Sequence, residues 1–337
     1  MQQCISRTDG VVDRRGFLLG GGLAAASLVM PGCRSGGSTQ AGIGGTGVVP
    51  PYADDLRDRC WMWGHDSGTF DGPGNEYKIP ASEPISMVDA CRYMGVPNVC
   101  AIVSHKTDDG YLAPFKGMKR VSWMMCGRAR KYHEQLVEPN FVRLAQMDNL
   151  TGFDLDDFFL IKDAAQPQEQ VSWKENGRKL MVVPGSMTLG ELENIKTRMV
   201  NTGRTLDLRL VVYAHQLRPE CAPAFERVDT VMLWTWDGAD IGKLEANWRF
   251  YRSICPTKPT LLGVYMWDFG GCKPIEPQDM RMQLSFARDL FMRGEIEGLV
   301  FHCTPLVNKG LEAVEICRGW LAKNAKLTCG VKRRSML

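Results

Sequence analysis

From residue 59 onward the chain alternates between short apolar runs and segments whose apolar positions recur every three to four residues. Strands are predicted over 59–65, 98–105, 121–126, 150–157, 208–215, 231–236, 260–267 and 298–303. Helices are predicted over 84–94, with Ser82 as N-cap, near 112–118, and over 130–147, 189–200, 219–226, 243–254, 277–293 and 309–324. The stretch 159–184 is a longer excursion. Continuous apolar strands alternating with amphipathic helices predict a parallel sheet covered by helices, and eight such units predict a single (β/α)8 TIM barrel over 53–326. An open doubly wound sheet is the alternative. No GxGxxG or GxxxxGK[ST] follows any of the strands, so neither a dinucleotide site nor a P-loop is expected.

Composition narrows the function classes. The 337 residues carry 41 Lys+Arg against 38 Asp+Glu, a net charge of +3, with 44% hydrophobic residues. No block of like charges occurs, which argues against a nucleic-acid partner. Twelve Cys, nine Trp and 35 Gly stand out, and what matters is where they fall.

The first fifty residues follow a different pattern. Arg14 and Arg15 stand immediately before Phe17 and Leu18 and an uncharged apolar run that ends at Met30, too short to span a bilayer. This resembles a twin-arginine export signal, and the resemblance implies export of a folded chain by the twin-arginine machinery. Gly32 and Cys33 follow at once and resemble a lipoprotein cleavage box, with Cys33 as the lipidated residue, although Pro31 is atypical of such boxes. The Gly/Ser/Thr-rich stretch 33–52 reads as a flexible tether, and 327–337 as a C-terminal tail. The expected location is therefore periplasmic or at the cell surface, with membrane contact only through a lipid on Cys33. Ten cysteines follow the tether without CxxC or metal-type spacing, and the default reading is buried free thiols.

In such barrels the active site lies at the C-terminal strand ends. The strand ends expected here carry His65 and Asp66, His105, then Asp154, Asp156 and Asp157, then His215 and Gln216, Asp237, Asp268 and His302. Trp61, Trp63, Trp123, Trp234, Trp236 and Trp267 fall within or beside the same ends. Strand alternation places Asp154 and Asp156 on one face, which should point into the barrel, and groups Trp61, Trp63 and His65 in the same way. Neighbouring carboxylates raise each other's proton affinity, which suits one of them to hold a proton near neutral pH.

Carboxylates beside indoles suit carbohydrate chemistry, in which two carboxyl groups cleave the glycosidic bond and flat rings pack on sugar C–H faces. The catalytic candidates are Asp154, Asp156, Asp157, Asp237 and Asp268. The substrate-binding candidates are Trp61, Trp63, His65, Asp66, His105, Trp123, His215, Gln216, Trp236, Trp267 and His302. The segment Thr151-Gly152-Phe153-Asp154-Leu155-Asp156-Asp157 resembles fourth-strand motifs of barrel glycoside hydrolases such as the chitinase-like DGxDxDxE pattern. It departs from that pattern at the acid position, which is Phe158, so the chitinase mechanism is not expected. The strand-end positions are also similar to the α-galactosidase-like clan. That likeness implies a nucleophile at Asp156 and an acid/base at Asp237, with no cofactor.

Two other classes compete with a glycosidase. The rim histidines His65, His105, His215 and His302, with an Asp, would suit a divalent metal in a metal-dependent hydrolase or sugar isomerase. No HxH or HxxxH spacing places two such ligands on one element. A carbohydrate-binding lipoprotein without catalysis is the third reading.

Overall fold

The computed structural model describes residues 52, 55–103, 106–126, 141–174 and 177–330. The export signal, Cys33, most of the tether, His105, most of the helix expected over 130–147 and the residues after 330 lie outside the described residues.

Eight parallel strands close into a barrel: β1 (Cys60–Gly64), β2 (Asn98–Ala101), β3 (Arg120–Cys126), β4 (Leu150–Leu155), β8 (Asp207–Tyr213), β9 (Thr230–Trp234), β10 (Thr260–Tyr265) and β11 (Gly298–His302). Each pairs with its neighbour in chain order, and β11 returns to β1 with Trp63 opposite His302. This is a (β/α)8 barrel and excludes the open sheet. The strands are largely apolar because one face fills the barrel and the other meets helices. The flanking helices include α1 (Met87–Met94), α2 (Asp109–Leu112), α3 (Leu189–Asn201), α4 (Ala222–Arg227), α5 (Leu244–Ile254), α6 (Pro277–Arg293) and α7 (Glu312–Asn324).

Local chemistry sets the element ends. Helix α1 starts three residues later than expected because Ser86, not Ser82, is its N-cap: its Oγ accepts from the Asp89 N–H at 3.1 Å. Ser82 instead receives a hydrogen bond from Lys309 Nζ at 3.0 Å. Helix α3 opens with a capping box between Thr188 and Glu191. The excursion forms a separate antiparallel sheet, ordered β6-β5-β7, from β5 (Phe159–Asp163), β6 (Gln166–Gln170) and β7 (Leu180–Pro184). It occupies the connection between β4 and β8 ahead of helix α3.

The two ends of the barrel differ. At the N-terminal end Arg120 Nη1 donates to Asp58 Oδ1 at 3.1 Å, Asn98 donates to the Asp58 and Cys60 carbonyls at 2.8 Å, and Arg120 covers the Tyr52 ring. These bonds satisfy polar groups that would otherwise be buried unpaired. Halfway up, Gly263 makes room for an indole: a Cβ there would lie 2.0 Å from the Trp234 ring. The nine cysteines with described side chains are buried free thiols.

Candidate functional site

The fourth strand builds the first part of the rim. Asp154 points into the barrel as alternation required, but it is fully enclosed. Its Oδ2 accepts from Ser122 Oγ, its Oδ1 has no partner, and the Arg209 guanidinium lies nearby over the Trp61 ring at 4.1 Å. Burial raises the Asp154 carboxyl above its ordinary range, against the pull of Arg209. Asp154 is therefore corrected from a catalytic candidate to an interior polar group, because protein closes it off from any substrate.

Two residues further on, the chain leaves the strand. Asp157 adopts φ 45°, a left-handed conformation that Asp tolerates better than most residues. The bend gathers consecutive carboxylates that strand alternation would send to opposite faces. The Asp157 N–H donates to Asp156 Oδ1 at 2.9 Å, and Tyr213 Oη donates to Asp157 Oδ1 at 3.0 Å. Burial first, and then the adjacent Asp157 charge, push the Asp156 carboxyl well above the usual range, so it favours its protonated form. The same burial and the two carboxylates push the Tyr213 phenol up, which keeps it a donor.

The sixth barrel strand supplies Asp237 just beyond its end. Asp237 Oδ1 accepts from the Ala239 N–H at 3.0 Å, and Lys174 Nζ lies 2.6 Å from Oδ2. Lys174 comes from the turn between β6 and β7, so the excursion reaches the rim of the barrel. Beside it, Trp173 stacks on His215 (4.6 Å, 11°), and His215 stacks with Tyr213 (5.5 Å, 2°) and meets Trp236 edge-on at 6.2 Å. Burial lowers the His215 pKa to about 3, so its ring is neutral at physiological pH.

Asp268 holds loops. Its Oδ1 accepts from the Gly238 and Gly271 N–H groups, each at 2.8 Å, and Cβ atoms at either glycine would collide with its carboxylate. It thus positions the residue after Asp237. Asp66 is engaged by Lys106 Nζ at 2.8 Å and Tyr111 Oη at 2.5 Å. Gln216 is buried: its amide donates to the Phe159 carbonyl at 3.1 Å and its oxygen accepts from the Tyr213 N–H, tying β8 to the excursion.

The indoles divide. Trp61, Trp123 and Trp267 are at most 2% exposed. Trp123 packs edge-on against Phe115 at 5.4 Å, and Trp267 donates to the Tyr77 carbonyl at 3.1 Å. These three are corrected from sugar platforms to core packing, since no face of their rings is free. Trp63 and Trp234 are buried too, 5.4 Å apart, and both adjoin His302. Trp236 remains half-buried at the rim. The structure adds Trp173, Lys174 and Tyr213 to the candidates. Tyr213 was legible as the same-face successor of Arg209 in β8; Trp173 and Lys174 had no such signal, because nothing in the excursion's sequence says which strand end it visits.

Of the four expected histidine ligands, His105 lies outside the described residues, and the other three divide between two places. His65 and His302 meet edge-on at 5.7 Å, while His215 belongs to the Trp173 and Tyr213 stack. Burial lowers the pKa of His65 to about 4, and burial and the neighbouring His65 hold that of His302 well below its ordinary value.

The described residues thus define a (β/α)8 barrel protein whose C-terminal rim sets carboxylates among aromatic rings. No family model matches the chain, and no curated protein matches it. Among solved structures it is similar to active domain 2 of a thermostable chitinase from Pyrococcus furiosus, with 11% identity, coverage of 81% of this chain and 95% of that one, and a TM-score of 0.48. It is also similar to the PgaB glycoside hydrolase domain from Bordetella bronchiseptica (10% identity; 80% and 99% covered; TM-score 0.42). The tryptophan synthase α-subunit from Pyrococcus furiosus is similar as well (10% identity; 78% and 94% covered; TM-score 0.37). These likenesses concern architecture, and nothing about the chemistry of this rim is taken from them.

Proposed function

We propose that the protein is an exported glycoside hydrolase acting at the C-terminal rim of the barrel. The observation that carries this reading is the Asp156–Asp157 pair, in which burial and a neighbouring carboxylate favour a proton on Asp156. In this mechanism Asp156 donates that proton to the glycosidic oxygen as the bond to the anomeric carbon breaks. Asp237 acts as the second carboxylate, attacking the anomeric carbon or taking a proton from the attacking water. Lys174 sets its positive charge beside Asp237 Oδ2, and Asp157 with Tyr213 orients Asp156. This allocation reverses the one implied by the α-galactosidase-like resemblance, because the proton-favouring environment is at the fourth strand. Trp236 and Trp173 supply ring faces for the sugar, with His215 between them. The substrate is a carbohydrate; the chain reaches it after twin-arginine export, tethered through a lipid on Cys33.

The test is a screen against plant and host glycans with the product anomer followed by NMR, repeated with Asp156→Asn and Asp237→Asn. Each variant should abolish sugar release and retain saccharide binding. Unchanged turnover in both overturns the assignment, and saccharide affinity without product in the unsubstituted protein identifies a binder. Mass spectrometry of the membrane fraction, compared with Cys33→Ala, tests the lipid.

A further inference from the structure

We propose that His65, His302 and Cys303 form a zinc-binding site in the wall of the barrel mouth, from residues other than the Asp156 and Asp237 carboxylates. His65 follows β1, His302 ends β11, and these strands are hydrogen-bonded neighbours. One donor atom from each of the three side chains lies within 4.8 Å of the other two. Tetrahedral zinc with Zn–N of about 2.1 Å and Zn–S of about 2.3 Å needs donors roughly 3.4–3.8 Å apart, so modest side-chain rotations close the set.

A second observation points to a ligand. His302 is 9% exposed, and its Nδ1 is buried with no hydrogen-bond partner. A buried imidazole nitrogen is ordinarily paired, and its loss of water is otherwise uncompensated. The His302 ring is held by packing instead, with Tyr265 at 4.6 Å and Phe269 at 4.7 Å. The main chain of His65 is fixed against the same wall, since its N–H donates to Thr304 Oγ at 3.0 Å and its carbonyl accepts from that hydroxyl at 3.3 Å. The donors are thus on rigid strand ends before any metal arrives.

The donor chemistry selects the ion. Two imidazoles and a thiolate suit a borderline d10 cation and not magnesium or calcium, which take oxygen ligands. Three protein ligands leave a fourth position for water or an incoming group, as in catalytic and not closed structural zinc sites. Binding deprotonates Cys303: its thiol proton passes to solvent as the Zn–S bond forms.

The full-length protein is titrated with Zn2+ against a chromophoric chelator and then, metal-free, with Co2+. One equivalent of Zn2+ is expected, together with a thiolate-to-cobalt charge-transfer band. Cys303→Ser should remove that band, and Cys303→Ser and His302→Gln should each weaken Zn2+ binding by more than about tenfold, a loss that even supporting residues of metal sites produce. Cys317→Ala, a buried thiol on α7, should leave both unchanged. The absence of stoichiometric binding, or a Co2+ spectrum without thiolate character in the unsubstituted protein, overturns the site whether or not the variants fold.

Discussion

Lys174 Nζ lies 2.6 Å from Asp237 Oδ2, joining the antiparallel excursion to the rim of the sixth barrel strand. Asp237 is buried, while Lys174 is about half-exposed. Lys174→Ala leaves a buried carboxylate oxygen without its cation, which costs about 1–3 kcal/mol. The melting temperature should fall, and Asp237→Asn in the same background should restore part of it. A double-mutant cycle by thermal unfolding measures the coupling; strict additivity would show that the pair contributes nothing.

Asp156→Asn should stabilise the protein at neutral pH while removing its activity. The folded-state pKa of Asp156 is raised above the unfolded value, so the native state binds the extra proton and loses stability as pH rises through that window. Asparagine removes the titration. Denaturant unfolding at pH 7.5 should show the variant more stable than the parent, with the gap closing toward pH 4. A constant gap at both values would contradict the raised pKa.

His215 works in the opposite direction. Its pKa is lowered to about 3 by burial, so its contribution to stability is full above about 6.5 and is lost as pH falls toward 3. Linkage makes the loss roughly 1–2 kcal/mol between pH 7 and pH 5. His215→Phe keeps the stack on Trp173 and removes the titration. Its stability curve over that range should be flatter than the parent's by this amount, as read from chemical denaturation.

Gly263→Ala probes the barrel interior. The new Cβ would lie 2.0 Å from the Trp234 ring, and overpacking of this kind typically costs about 1–3 kcal/mol. Trp234 also adjoins Tyr265 and His302, so the displaced indole should alter the mouth. Lower stability with a changed tryptophan emission spectrum is expected, and an unperturbed spectrum would mean the ring does not occupy that space.

The eight-strand barrel was legible in the sequence because apolar periodicity reports which residues must leave water, and a parallel barrel buries both faces of every strand. Strand alternation likewise placed Asp154 inside the barrel, and the extent of the apolar run 298–303 placed His302 at a strand end. What the sequence could not say was how far each side chain stands from solvent. Asp154 and Asp156 share a face and differ by two residues, yet one is sealed beside Arg209 and the other reaches the mouth, because closure of the barrel sets depth. Asp157 joined Asp156 only through a positive φ that overrides alternation. The excursion's Lys174 found Asp237 across some sixty residues of chain, and His65 found His302 and Cys303 because β11 closes on β1. Local pattern determined the elements and their faces; the tertiary structure decided which rim groups meet, since those encounters depend on closure and loop path, which leave no periodic trace.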